Sequence, residues 1–136
     1  MAPCLRYLIA FIVFVHGLIY VRIGSVLPGP IKAWRGTSWL LRESCTGDQL
    51  RQLVVSLHVA AGIAILACAV ALAFAPSQPW WWRPLAIIGG AIGVVAFAVF
   101  WDGQTQLLFD EGVIGAGASL LLVIVAIAFA RAVSFP

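Results

Sequence analysis

Two long stretches of this chain contain no charged side chain. No Asp, Glu, Lys or Arg occurs between Arg51 and Arg83, or between Glu111 and Arg131. Because about 20 apolar residues in a helix cross the hydrocarbon core of a bilayer, each stretch is long enough for a membrane span. The whole chain is 63% hydrophobic and 10% charged, whereas a soluble domain is about half apolar and about a quarter charged. We therefore expect an integral membrane protein.

The apolar segments predict four membrane-spanning helices in a single domain, residues 1–136. The prolines, charges and aromatic residues between them place the spans at 7–27, 50–75, 84–101 and 112–133. Thr46 and Gln49 precede an apolar run and have the form of a capping box, which predicts that the second helix begins near Gly47. The expected fold class is an all-α, integral membrane four-helix bundle.

The connections between the spans carry tryptophan beside cations. Trp34 and Trp39 lie among basic residues in the segment 28–46, and Trp80–Trp82 directly precede Arg83. Tryptophan and cations together are typical of the headgroup layer of a membrane. We expect an interfacial loop or short helix between spans 1 and 2, and an aromatic turn between spans 2 and 3.

Small residues recur at helical spacing in the third and fourth spans. Gly89 and Gly93 have GxxxG spacing, and Gly115 and Ser119 are separated by the same interval. Small faces allow two helix backbones to approach closely. These residues predict a closely packed antiparallel pair of helices, with a homodimer face as the alternative.

Four spans that alternate in direction divide the connections between two sides of the membrane. The N-terminus, the tryptophan turn and the C-terminus lie on side A, and the 28–46 connection and the 102–111 turn lie on side B. Measured along their helices, His16 and His58 are at similar distances from side B. The two imidazoles are therefore expected at similar depth on neighbouring helices.

The polar residues nearest side B define a candidate functional site. We expect one cavity, open to side B, to be lined by His16, Tyr20, Arg22, Ser56, His58, Asp102 and Glu111. Ionisable groups within a membrane are costly unless they face protein, water or one another, which makes them candidates for function. Structural roles stay open, because an imidazole can hydrogen-bond to another helix, an arginine can extend to the headgroups, and a carboxylate can stabilise a helix start.

The sequence predicts neither a metal site nor a cofactor. The three cysteines, Cys4, Cys45 and Cys68, lack CxxC spacing, which argues against a zinc site. His16 and His58 are the residue type for bis-imidazole haem ligation, but no second histidine pair or attachment motif accompanies them. The basic residues are scattered and do not form the run typical of a nucleic-acid surface, so nucleic acid is not an expected partner.

Three short motifs are similar to a known group of proteins. The stretch His16–Tyr20 reads HGLIY, Trp80–Trp82 form a tryptophan triplet, and Trp101–Asp102 ends the third span. The chain in this respect resembles small bacterial four-span membrane proteins whose first helix commonly reads HGLIH, with Tyr20 in place of the second histidine. The resemblance implies a four-helix fold in the bacterial inner membrane, and it implies no established activity.

The sequence leaves three functions open. A noncatalytic membrane module is favoured, binding a lipid or lipophilic small molecule or serving as an accessory subunit, because no complete catalytic motif is present. The alternatives are a small membrane-embedded enzyme that uses His16 and Asp102 as acid and base on a lipophilic substrate, and a component of a transporter. The expected partners are the lipid bilayer, a lipophilic molecule, a second copy of the chain or a larger membrane complex.

The distribution of basic residues predicts the orientation of a multi-pass cell-membrane protein. Side A holds Arg6, Arg83 and Arg131. Side B holds Arg22, Lys32, Arg35, Arg42 and Arg51. Because the side richer in Lys and Arg faces the cytoplasm, side B is expected there.

Overall fold

The computed structural model of the chain describes residues 3–26, 38–41, 43–75, 77, 79–101, 103 and 112–132. These residues form four helices: α1 Pro3–Val26, α2 Gly47–Phe74, α3 Pro79–Phe100 and α4 Val113–Ala132. The predicted all-α fold with four helices is confirmed. Three stretches are long and apolar enough to cross a membrane: Cys4–Gly24, Gly47–Phe74 and Trp80–Phe100. The fourth helix contains a shorter apolar stretch, Val113–Ala128.

The start of α2 at Gly47 is confirmed, together with its capping box. The Gln49 backbone N–H donates to Thr46 Oγ1 at 3.4 Å, and the Thr46 backbone N–H donates to Gln49 Oε1 at 3.0 Å. These bonds satisfy donors that have no partner inside the helix. Asp48 lies in the same first turn, where a carboxylate stabilises the positive end of the helix dipole.

Helix α3 begins at Pro79, five positions before the predicted start at 84, and this corrects the sequence analysis. Trp80–Trp82 therefore lie in the first turn of α3 and not in a turn between two spans. Proline at the first helical position costs no hydrogen bond, because the backbone N–H of any other residue there would have no partner inside the helix. Pro84 removes only the bond to the carbonyl four residues earlier, and the helix continues through it.

Neighbouring helices in the chain pack against each other in antiparallel directions. Helix α1 packs on α2, α2 on α3, and α3 on α4. A Cβ added to Gly17 would lie 2.9 Å from Leu66 Cγ, and one added to Gly24 would lie 2.7 Å from Val59 Cγ2. The residue numbers rise along α1 as they fall along α2, so the two helices run in opposite directions. Sides A and B, as defined above, are therefore opposite ends of the bundle.

Helices α1 and α2 also approach closely at Gly62, a glycine that the sequence analysis did not single out. A Cβ added to Gly62 would lie 2.6 Å from Val21 Cγ2 and 3.0 Å from the Gly17 carbonyl oxygen. Any side chain at position 62 would meet the backbone of α1. The glycine allows the two backbones to come this close, as small residues do between membrane helices.

The interior of the bundle is built largely from small side chains. One buried cluster contains Val13, Tyr20, Ala61, Ile65, Cys68, Ala69, Ala86 and Ala126. A second contains Leu50, Val54, Ala96 and Phe100. Large apolar side chains instead cover the outside of every helix, among them Phe11, Ile63, Val95 and Leu121. This distribution suits a bundle whose surroundings are as apolar as its core.

The described part of the connection between α1 and α2 packs on the end of α3 at side B. The Trp39 backbone N–H donates to the Trp101 carbonyl at 3.0 Å, and Trp39 Nε1 donates to the Ala98 carbonyl at 2.6 Å. The buried Ser38 hydroxyl donates to the Val99 carbonyl. These bonds satisfy carbonyls at the end of a helix, which have no partner within it.

This connection was expected as an interfacial loop or short helix. Within 38–41 and 43–46 the chain forms turns, with the Ser44 and Cys45 N–H groups both donating to the Leu41 carbonyl, at 3.0 and 3.1 Å. The described part is therefore a loop. Residues 28–37 and Arg42 lie outside the described residues.

Candidate functional site

Tyr20 is the central aromatic residue of a polar layer that crosses the bundle. It lies one turn beyond His16 on α1, and the two rings meet edge to face with centroids 5.1 Å apart. Its ring also contacts that of His58 on α2, at 5.6 Å. Tyr20 is buried and both histidines are half-buried. The two histidines thus lie in one layer, as their similar depth suggested, and Tyr20 contacts both of them.

Ser119 on α4 is the hydrogen-bonding centre of this layer. Its Oγ lies 3.0 Å from His16 Nε2 and 2.9 Å from the Tyr20 hydroxyl. A serine hydroxyl has one proton and can also accept, so Tyr20 can donate to Ser119 while Ser119 donates to His16. In that arrangement the neutral His16 ring carries its proton on Nδ1. Two hydrogen bonds thus link the three side chains across α1 and α4.

Sequence reasoning assigned Ser119 to helix packing alone and missed these hydrogen bonds. The available signal was a single hydroxyl side chain within the apolar run of α4, at a position where small residues recur. A polar side chain in an otherwise apolar membrane helix commonly hydrogen-bonds to another helix. That rule predicts a hydrogen bond for Ser119, but it does not identify the partner.

Helix α3 meets the polar layer at glycine. A Cβ added to Gly93 would lie 2.6 Å from the Tyr20 hydroxyl and 2.7 Å from Ser119 Oγ. A Cβ added to Gly90 would lie 2.6 Å from the Ser119 carbonyl oxygen. The backbone of α3 therefore occupies the space beside the three hydrogen-bonded side chains, and even a methyl group does not fit there.

The other small residues predicted for helix packing have different neighbours. A Cβ added to Gly89 would lie 2.8 Å from Ile65 Cγ1 and 3.1 Å from Ala64 Cβ, so Gly89 faces α2. A Cβ added to Gly115 would lie 3.9 Å from the Tyr20 hydroxyl, which is an ordinary van der Waals distance, so a methyl group would fit there. Gly89 and Gly93 thus contact different helices, although GxxxG spacing places them on one face.

His58 makes its hydrogen bond within its own helix. Its Nδ1 lies 2.9 Å from the Val54 carbonyl oxygen. Because a carbonyl only accepts, Nδ1 carries the proton and donates. The ring packs between those of Tyr20 and Phe100, with centroids 5.6 and 5.9 Å away. His58 therefore joins the polar layer through ring contacts.

The remaining candidate residues lie elsewhere or outside the described residues. Ser56 is exposed, because residues two positions apart on a helix point in nearly opposite directions and His58 faces the core. Arg22 is exposed near the end of α1. Asp102 and Glu111, including the proposed acid or base at Asp102, lie outside the described residues.

Ser56 borders a depression near the start of α2. The depression has a volume of about 400 Å³, and the described residues that line it are Arg51, Gln52, Val55 and Ser56. All four residues belong to the first turns of α2, at the side-B end. This feature is distinct from the polar layer around Tyr20.

The described residues contain no group of three or more His, Cys, Asp and Glu side chains that could hold a metal ion. The cysteines are free thiols in different surroundings, with Cys4 exposed, Cys45 half-buried and Cys68 buried. The reactive pairing that the described geometry does offer is Ser119 with His16, at a distance typical of a nucleophile and its base.

The chain matches no protein-family model, no curated protein and no solved structure with which it was compared. The resemblance carried by His16–Tyr20, Trp80–Trp82 and Trp101–Asp102 therefore stays a prediction. The function has to be argued from the contacts of the polar layer and from the surface of the bundle.

Proposed function

We propose that the chain is an integral membrane protein whose four helices all cross the bilayer. Aromatic side chains at both ends of α3 support this. Trp80 and Trp81 are exposed at its start, with ring centroids 4.4 Å apart, and Trp39 packs against Trp101 at its end. At 1.5 Å per residue, positions 80 and 101 are about 31 Å apart along the helix, close to the roughly 30 Å thickness of the hydrocarbon core.

The other helices are consistent with the same placement. At side A, the Arg6 guanidinium lies 4.5 Å from the centre of the Tyr7 ring, and that of Arg83 lies 5.7 Å from the Trp82 ring. Paired cations and aromatic rings are suited to the headgroup region. Helix α4 has 20 residues, which gives it a length of about 30 Å.

Within the membrane, we infer a noncatalytic role, as a module that binds lipid or a lipophilic molecule or as an accessory subunit. The observation that carries this inference is the closed polar layer. Ser119 has no exposed surface, its hydroxyl is shared by His16 and Tyr20, and Gly93 packs directly on it. A reactive group needs space for a substrate, and here that space is filled by protein.

A membrane-embedded hydrolase is the second candidate, and one observation favours it. Ser119 Oγ and His16 Nε2 are 3.0 Å apart, within the range in which a histidine can remove the proton of a nucleophilic serine. A hydrolase would require the surrounding helices to move, because Ser119 has no exposed surface and Gly93 and Gly90 pack against it. The noncatalytic interpretation requires no such rearrangement.

A serine-directed phosphonate probe distinguishes the two candidates. We expect an alkyl fluorophosphonate, added to membranes containing the protein, to leave Ser119 unmodified, because the hydroxyl is inaccessible. Peptide mass spectrometry measures the adduct, with a known membrane serine hydrolase in the same sample as positive control. Labelling that disappears in Ser119→Ala and persists in Ser56→Ala would establish a reactive serine and contradict the noncatalytic role.

The native cysteines test both the orientation and the first membrane crossing. Cys4 lies at side A and Cys45 at side B, while Cys68 is buried. In variants that retain one cysteine each, we expect a membrane-impermeant maleimide to label Cys4 in intact cells. Cys45 should react only after permeabilisation, and Cys68 only after denaturation.

The pattern of labelling identifies which part of the proposal fails. Labelling of Cys45 but not Cys4 in intact cells would reverse the predicted orientation. Labelling of both cysteines from the same side would show that α1 does not cross the membrane.

A further inference from the structure

His16 lies on the border between the buried face and the outer face of α1. Val13 and Tyr20, three positions before it and four after it, are 8% and 5% exposed. Ile12 and Ile19, four positions before it and three after it, are 58% and 50% exposed. Because residues three and four positions apart are neighbours on a helix surface, the buried face begins on one side of His16 and the exposed face on the other.

The two nitrogens of the His16 ring differ in their surroundings. Nε2 lies 3.0 Å from Ser119 Oγ inside the bundle. The two nitrogens of an imidazole point in different directions, so the same hydroxyl cannot also bond to Nδ1. Within the described part of the chain, Nδ1 forms no hydrogen bond, and it is not among the polar atoms that are buried without a partner. Nδ1 therefore reaches the surface of the bundle.

His58 shows how an imidazole in this bundle can satisfy the same atom within its own helix. Its Nδ1 donates to the Val54 carbonyl, four positions earlier. The His16 ring is instead directed at Ser119 on another helix. When the Ser119 hydroxyl donates to Nε2, the neutral His16 ring keeps its proton on Nδ1 and presents it as a hydrogen-bond donor.

The depth of His16 limits what can accept this hydrogen bond. His16 is ten positions after Arg6, whose guanidinium contacts the Tyr7 ring at side A, and ten before Val26, the last residue of α1. Each interval is about 15 Å along the helix, which is half of the roughly 30 Å hydrocarbon core. Water and the oxygens of phospholipid headgroups lie at the boundaries of that core. The acceptor has to be a polar atom of a molecule that dissolves in the hydrocarbon itself.

We propose that His16 Nδ1 binds a carbonyl oxygen of a neutral, lipid-soluble molecule of the quinone class, which packs on the outer face of α1 beside Ile12 and Ile19. A quinone carries carbonyl acceptors on an otherwise apolar body, so it can bring an acceptor to the middle of the bilayer. Binding at this edge of the ring leaves Ser119 enclosed. The site deepens the proposed function by naming the ligand class, and it rests on the proposed membrane insertion.

Equilibrium gel filtration of the detergent-purified full chain, with bound ligand quantified by mass spectrometry, measures this binding. Decylubiquinone is the probe, decylbenzene is the matched molecule without carbonyls, and empty micelles give the background. In His16→Gln the side-chain amide can still bond to Ser119 but places no donor where Nδ1 was. We expect this variant to bind decylubiquinone about tenfold more weakly, the effect of losing one hydrogen bond. His58→Gln changes the histidine whose Nδ1 is already bonded, and it should leave the affinity unchanged.

A second measurement needs no substitution and so does not depend on how the variants fold. Nitrogen NMR of the wild-type chain, labelled in its histidine rings, should show a larger shift at His16 Nδ1 than at His58 Nδ1 when decylubiquinone is added. Unchanged His16 signals, retained affinity in His16→Gln, or equal losses in His16→Gln and His58→Gln would overturn the site. Equal binding of decylbenzene would overturn the role of the carbonyl.

Failure of the site and failure of the proposed function give different results. Resistance of the protein to alkaline carbonate extraction from membranes tests insertion without reference to the ligand. An inserted protein whose His16 signals do not respond to decylubiquinone contradicts the site alone. A protein that carbonate releases from the membrane contradicts the proposed insertion, whatever it binds in detergent.

Discussion

Replacing Gly93 with leucine is expected to produce a large loss of stability, about 3 kcal/mol or more. A single Cβ at this position would already lie 2.6 Å from the Tyr20 hydroxyl and 2.7 Å from Ser119 Oγ. Overpacking a closely packed interior typically costs about 1–3 kcal/mol. Here the displaced groups are also hydrogen-bonded to each other, so the substitution should break the Tyr20–Ser119 bond as well.

Gly117→Leu is the matched control for this substitution. Gly117 is an exposed glycine inside α4, and no heavy atom lies within 4 Å of the Cβ that would be added there. Both substitutions replace glycine with leucine inside a helix and gain the same intrinsic helix preference. The difference between their effects on stability therefore reports the packing at position 93. Thermal unfolding in detergent should show a lower melting temperature for Gly93→Leu only. Equal melting temperatures for Gly93→Leu and Gly117→Leu would contradict the close approach of α3 to the polar layer.

Gly89→Leu tests the contact between α3 and α2 in the same assay. The added Cβ would lie 2.8 Å from Ile65 Cγ1 and 3.1 Å from the Ile65 backbone nitrogen. Because backbone cannot move aside as a side chain can, Gly89→Leu should also be destabilising. Unchanged melting for both variants would place these glycines on the lipid-facing surface.

Replacing Ser119 with alanine is expected to cost about 1–3 kcal/mol, the second large effect. The change leaves the His16 imidazole and the Tyr20 hydroxyl without their shared partner. An unsatisfied buried polar group costs about 1–3 kcal/mol, while single hydrogen bonds between membrane helices average about 0.6 kcal/mol. Ser56→Ala makes the same chemical change at an exposed helical position, and in lipid-free detergent it should be nearly neutral.

A double-mutant cycle with Tyr20→Phe tests whether the two hydroxyls act on each other. Tyr20→Phe should destabilise the wild-type chain through loss of the bond to Ser119. In the Ser119→Ala background the same change should cost less, because the bond is already absent. Additive effects of the two substitutions would show that the Tyr20–Ser119 hydrogen bond contributes no measurable coupling.

Features that depend only on residues close together in the sequence could be predicted from it. The apolar segments predicted four helices, because apolar length is a property of each segment by itself. The start of α2 followed from Thr46 and Gln49, whose hydrogen bonds are confined to one turn. The start of α3 was misplaced, because Pro79 and Pro84 suggested a break, whereas a helix tolerates proline at and near its first turn.

The partners of the polar residues were settled only by the tertiary structure. The similar depth of His16 and His58 followed from counting along two helices, but the contact of Tyr20 with both rings, and its bond to Ser119, depended on how each helix is rotated. In a soluble protein an amphipathic pattern fixes that rotation. In this chain most faces of the helices are apolar, so the sequence pattern does not fix the rotation of each helix.

The sequence by itself therefore determined which segments are helical and apolar, and where α2 begins. Only the tertiary structure decided that Gly93 meets Tyr20 and Ser119, that Gly89 meets α2, and that Gly17 and Gly62 bring α1 against α2. The physical reason is that small residues permit close approach but do not specify which neighbour approaches. That choice depends on the packing of all four helices at once.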